Sequence, residues 1–290
     1  MIHIAIHSLC SEIDQLEQLL IQLKRNSVHL PNDHGIEVSV VLNMELVDWV
    51  QSKLPPSFFA NKFDDLDVLT ASWADVNFFM REDMMGCNDI RRHVIRTTDK
   101  PYVMYLDVDN VFGEMFLSDA WQFARFTLPE AYHILTPQTT RLWDSTWDCI
   151  TSKEHIHEEA SHAKYDVRDP YQAVIRIDGE DSRVKIIPDF KFAGWGTMIS
   201  TKLARLIDIP DSLGSYGLDD TFIMHGCYIL RDKGYNVYQY VIENQIIIEN
   251  NLFRFNPYKD YIVNIDRRQE FLANAHVNFN PELEKLKLRI

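Results

Sequence analysis

The chain has 290 residues, 46% of them hydrophobic and 25% charged, an ordinary globular composition that fits one large domain or two small ones. It carries 43 acidic and 29 basic residues for a formal charge of −14, and with no long basic run this excludes a nucleic-acid phosphate surface as partner. Cys10, Cys87, Cys149 and Cys227 stand far apart and never form Cys-x-x-Cys, which speaks against a disulfide frame or zinc site and for a reducing, cytoplasmic setting.

The first residues go straight into a short strand without a basic, apolar leader, and no apolar run reaches the ~18 residues of a membrane span. No transmembrane segment is expected; peripheral membrane contact stays open. Residues 2–7 read as that strand. Ser11 with Asp14 reads as a helix cap, and Ile13, Leu16, Leu19, Leu20 and Leu23 follow at helical spacing. A loop with Pro31 and Gly35 leads to a second strand at 36–42 that ends at Asn43, and a short helix at 48–52 stops at Pro55 and Pro56. Strand, helix, strand, helix is the opening of an α/β sheet with crossover connections.

Residues 66–69 read as a short strand and 73–85 as irregular. A helix at 88–97 carries Arg91 and points Ile90 and Val94 inward; Pro101 then feeds the run Tyr102, Val103, Met104, Tyr105, Leu106. Unbroken apolar character marks a strand buried on both faces of a parallel sheet. It meets Asp107, Val108 and Asp109, and a buried strand does not tolerate a carboxylate, so it ends there. Two acids at the carboxyl end of a strand lie where open α/β sheets bind ligands. Their hard oxygens suit Mg²⁺ or Mn²⁺ shared with phosphate. Taken alone, the pair fits equally a turn opened by two acids.

Residues 115–126 read as a helix and 132–136 as a strand closed by Pro137. The stretch 139–181 is polar and rich in Trp, His and Glu, an excursion from the core; 184–188 is strand-like. Gly194, Trp195 and Gly196 form a turn around one large aromatic, followed by a helix at 201–207. Gly214, Ser215, Tyr216, Gly217 and Leu218 lead to Asp219 and Asp220, then a helix to residue 232 with Gly234 past its end and a strand at 235–242. Asp219 and Asp220 alone would read as a helix cap with an acid in the first turn. Residues 246–290 are mixed, with His276 near the end.

Arg91 before Asp107-Val108-Asp109, then Gly194-Trp195-Gly196, then Asp219-Asp220 opening a helix and a late His276 form an order that resembles the nucleotide-sugar-dependent glycosyltransferases of the GT-A fold, especially the large inverting family of bacterial polysaccharide and chondroitin-type enzymes. In that family's acidic pair the first member is usually Glu, where this chain has Asp219. The resemblance covers roughly residues 1–245. It implies a Rossmann-like, mostly parallel central sheet flanked by helices, as a single domain with a decorated C-terminal half: 1–136 for the nucleotide sugar, 137–245 for the acceptor, and 246–290 as an extension packed on the same domain.

It implies roles as well. Asp109 would bind Mn²⁺ or Mg²⁺ directly, and Asp107 would reach the ribose or donor sugar, or the metal through water. Arg91 would contact phosphate, and Asn43 or Glu45 would stand in for an early-strand Asp beside the base. Trp195 would stack on sugar or pack in the core, and His276 would be a third metal ligand. Asp220 would be the general base toward an acceptor hydroxyl, of a glycan or another acceptor, with Asp219 orienting it; one-step displacement would invert the anomeric centre. Two rivals remain: a haloacid-dehalogenase-type Mg²⁺ phosphatase, whose Asp-x-Asp belongs on the first strand of its domain, and a non-catalytic carbohydrate-binding relative.

Overall fold

A computed structural model describes residues 1–44, 57–81, 86–128, 131–143, 148–153, 160–164, 183–190, 194, 196–250 and 262–290. Strand β1 (Ile2–Leu9) runs through a 3-10 turn, Cys10–Glu12, into helix α1 (Ile13–Ser27). The expected cap at Ser11 gives way to Glu12, whose carboxylate accepts the Leu9 N–H at 3.2 Å, while Ser11 is buried. β2 (Ile36–Asn43) follows as expected; the helix expected at 48–52 lies outside the described residues, as does Glu45.

The strand expected at 66–69 is instead the end of helix α2 (Phe58–Thr70). Phe59, Leu66 and Thr70 are buried at helical spacing, and Lys62 ties the helix to α1 through Asp14 at 2.8 Å and Glu17 at 2.5 Å. Part of the stretch read as irregular is a strand, β3 (Asp75–Arg81), parallel to β2 at the sheet edge. Helix α3 (Cys87–Thr97) and strand β4 (Tyr102–Asp107) match the expectation, and β4 ends on the first acid.

A short β5 (Asn110–Phe112) and helix α4 (Phe116–Phe126) come next. β6 (Tyr132–Trp143) runs past Pro137, where the strand was expected to stop. The missing N–H is tolerated because the ladder to β11 (Val237–Asn250) breaks register just beyond the Ile242–Pro137 pair. Within 139–181, β7 (Asp148–Lys153) and β8 (Ala160–Lys164) extend β6 as antiparallel strands. β9 (Val184–Ile187), β10 (Thr197–Ser200), α5 (Thr201–Ile207) and α6 (Asp219–Asp232) precede β11, and the mixed tail holds one long helix, α7 (Ile262–Arg289).

One sheet joins the strands in the order β3-β2-β1-β4-β10-β6-β11-β5. β1 through β4 are mutually parallel; β10 is antiparallel to both β4 and β6, and β11 is parallel to β6. Six strands of this path thus share a direction, and β10 and β5 oppose it, so the sheet is mostly parallel. Alternate side chains enter two cores. Ile2, Ile4, Ile6, Met104 and Leu106 pack with Leu16, Leu20 and Leu117 of α1 and α4 on one face. Ala5, Val103 and Tyr105 pack with Ile90 and Val94 of α3, Leu203 of α5, Phe222 of α6 and Leu286 of α7 on the other. The architecture is a central sheet with helices on both faces. Among the described residues no helix is long and apolar enough to cross a membrane.

Candidate functional site

β1 sits between β2 and β4, so strand order reverses at β1 and a crevice opens at the carboxyl ends of β1 and β4, where ligands bind in open α/β sheets. Asp107 closes β4 in that crevice. Its N–H donates to Asn110 Oδ1 at 2.9 Å, which folds the chain back and turns Val108 into the core while Asp107 and Asp109 stay part-exposed. Gln22 of α1 fixes the far side of this turn: its Nε2 donates to the Asn110 carbonyl and its Oε1 accepts the Phe112 N–H, each at 3.2 Å.

The second acidic pair arrives on α6. Leu218, in the left-handed region at φ 59°, turns the chain into the helix, and Asp219 and Asp220 occupy its first turn, where the helix dipole favours negative charge. Asp219 is buried at 3% exposure. Asp220 is part-buried, and its Oδ1 accepts both the backbone N–H and the hydroxyl of Thr221, at 2.5 and 3.1 Å. Burial, then the neighbouring Asp219 carboxylate, push the Asp220 pKa above the ordinary carboxylate value.

Arg91 joins the two pairs. It is 3% exposed; Nη2 donates to Asp107 Oδ1 at 2.9 Å and Nη1 to Asp219 Oδ2 at 2.5 Å, with the guanidinium 5.2 Å from the centroid of the Tyr105 ring. Both terminal nitrogens thus serve carboxylates, one on the buried Asp219 and one on the part-exposed Asp107. The planar fork of arginine suits such a bridge, because it holds its two partners in a fixed geometry. Odd-numbered residues of β4 face α3, which is why Asp107 and Tyr105 both meet Arg91.

Asn43 ends β2 opposite Leu9 of β1, fully buried, on the same edge of the sheet as Asp107 but two strands away. Trp195 and Glu45 lie outside the described residues. His276 lies on an exposed position of α7, one residue past the buried Ala275. Among the described residues no group of three His, Cys, Asp or Glu side chains is gathered that could by itself hold a metal ion.

One residue of the site carried no signal in the sequence. His7 stands directly opposite Asp107 in the β1–β4 register, a neighbourhood visible only once the strands pair. Gly194 gives Arg91 its room: a Cβ there would lie 2.6 Å from Nη1. What reads as a flexible turn in sequence is a close-approach site for a cation.

No family model matches the chain, and no curated protein does. Among solved structures it is similar to Staphylococcus aureus TarS at 13% identity and a TM-score of 0.46, covering 90% of this chain and 38% of that one. A complex of TarS residues 1–349 with UDP gives 13% identity and 0.43, covering 96% of this chain and 71% of the other. The chain thus spans well under half of the longer TarS structure.

Proposed function

We propose that the chain is a nucleotide-sugar-dependent glycosyltransferase of the GT-A type, moving a sugar from a nucleoside-diphosphate sugar to an acceptor hydroxyl with inversion. The observation that carries the reading is the Arg91 bridge: it draws an Asp-x-Asp on a strand end and an Asp-Asp on a helix start, distant in sequence, to one place at the ligand-binding edge of the sheet. A phosphatase of the haloacid-dehalogenase type needs its Asp-x-Asp on the first strand; here Asp107 ends the fourth.

Asp109 and Asp107 offer part-exposed carboxylate oxygens, a donor set that fits Mg²⁺ or Mn²⁺ completed by diphosphate oxygens better than an all-protein cage. Asp109 would hold the ion, which when bound neutralises charge on the departing diphosphate. Asp107, already committed to Arg91 by one oxygen, is left to orient the donor. On the acceptor side both described hydrogen bonds of Asp220 fall on Oδ1, so Oδ2 is the oxygen that takes the acceptor proton. Its raised pKa makes it a stronger base than a free carboxylate. Asp219, held by Arg91, fixes the start of α6 and with it the direction of that base. His276, exposed on α7, would be the candidate third ligand.

The test is binding and turnover with a panel of nucleoside diphosphates and their sugars, with and without Mn²⁺. Slow release of nucleoside diphosphate from one donor is expected. Release of phosphate from simple monoesters, or no nucleotide binding at all, would overturn the reading.

A further inference from the structure

We infer that Asn88 is a positioning residue for Asp219 and Asp220, acting through a clamp that α3 and α7 close on the loop at 214–218; the inference rests on the glycosyltransferase reading of those acids. The loop has conformational freedom of its own at Gly214 and Gly217, whose φ of 77° and 92° glycine adopts without strain, while Leu218 at 59° is a strained position one residue before Asp219. Such a loop keeps its shape only where its surroundings over-determine it.

Helix α3 supplies one jaw. Asn88 is fully buried, and its Nδ2 donates to two loop carbonyls, Gly214 at 3.3 Å and Gly217 at 3.1 Å. Its backbone N–H donates to the Ser215 carbonyl at 3.0 Å. Contact at the helix start is so close that a Cβ on Gly86 would lie 2.1 Å from that same carbonyl oxygen. Arg92 adds a bond from Nη2 to the Gly214 carbonyl at 3.0 Å. Asn88 and Arg91 are three residues apart, so one helix face holds the loop with an amide and the Asp219 carboxylate with a guanidinium.

The other jaw is α7. Asn274 Nδ2 donates to the Ser212 carbonyl at 3.1 Å, and the Ser212 hydroxyl donates to Glu282 Oε1 at 2.7 Å. Leu272 closes on the bend itself: a Cβ on Gly217 would sit 2.5 Å from its Cδ2. The tail that reads as an appendage in sequence is thus seated on the loop that aims the base. Losing either jaw leaves the acids present and misaimed, and misplacement of about an ångström can cost ~10²-fold in rate.

The experiment uses the full chain and two variants. Asn88→Asp keeps the shape and turns the two-bond donor into an acceptor facing carbonyl oxygens; Asn274→Ala removes an exposed contact and folds even if the first variant does not. Hydrogen–deuterium exchange of the peptide spanning 211–222 is read beside donor hydrolysis with Mn²⁺ and UDP-glucose, UDP-N-acetylglucosamine or GDP-mannose. Faster exchange confined to that peptide is expected, with kcat lowered about 10- to 100-fold in Asn88→Asp and donor KM within about twofold. Wild-type exchange in both variants would overturn the clamp, and so would faster exchange with unchanged kcat. A wild-type chain that turns over no donor would instead remove the glycosyltransferase reading, while the exchange data still decide whether the clamp exists.

Discussion

Arg91 carries one buried positive charge between two carboxylates, and its energetics follow from what its loss would leave behind. Removing one partner of a buried ion pair costs about 3–5 kcal/mol, because the other charges stay buried without compensation. Arg91→Met should therefore lower unfolding free energy in urea by that order. Arg91→Lys keeps the charge but loses the fork and should recover only part of it; full recovery would mean the two-point geometry is irrelevant. The acids separate by function. Asp109→Asn should abolish Mn²⁺-dependent nucleoside-diphosphate binding with little change in melting temperature, since its carboxylate lies at a part-exposed turn. Asp220→Asn should reduce turnover ~10²–10⁴-fold with donor affinity kept. In the wild type, activity should rise with pH through a carboxylate pKa above the ordinary value, because Asp220 works only when deprotonated. That acid limb should vanish in Asp220→Asn; a limb that persists assigns it to another group. These acids were legible in the sequence because each interrupts an apolar run or opens a helix. His7 and Asn88 were not, because each matters only through a neighbour far away in the chain.

Elements were legible where one pattern was long and unopposed. β4 and α1 each show a single periodicity and a sharp end, and both formed where expected. The segment 66–69 did not: four residues cannot distinguish a strand from the last turn of a helix, and the helical period shows only from Phe59 onward. α7 was missed for another reason. Its buried stripe of Ala275, Leu283 and Leu286 is sparse, and Pro281 interrupts the pattern while the helix continues through it. The helix is nevertheless part of the second core, with Phe279 edge-on to Phe222 at 5.9 Å. Leu286→Ala should cost about 2–5 kcal/mol, as a buried leucine does, and Leu288→Ala, at 87% exposure, should stay within about 0.5 kcal/mol. Chemical denaturation of the pair measures it, and equal effects would show that α7 does not pack on this core.

At the scale of the whole molecule two electrostatic effects run against each other as pH falls. The net charge of −14 repels itself, and protonation relieves that repulsion, so this term stabilises the fold on acidification. His3 does the opposite. It lies 4% exposed between β1, β2 and the end of α3, with Nδ1 bonded to Thr98 Oγ1 and Nε2 to Ser39 Oγ, both at 2.8 Å. Burial pulls its pKa below the ordinary histidine value, against the opposing pull of Glu37 and with help from Lys100 and His93. The folded state therefore binds the proton less readily than the unfolded chain. Its stabilising contribution is complete above the unfolded pKa of about 6.5 and is lost as pH falls from there toward the lower folded value. Burial shifts His133 in the same direction, so it adds to the slope. Salt tells the two effects apart, since at 1 M the screening length is about 3 Å and long-range repulsion is removed while buried groups are little affected. In high salt the melting temperature should fall between pH 7.5 and 5.5, and His3→Gln, which can keep both hydroxyl partners, should flatten part of that fall. A second substitution at His133 should flatten the fall further. Parallel wild-type and His3→Gln curves in high salt would show that His3 stays neutral in neither state or in both, and would remove it from the pH response.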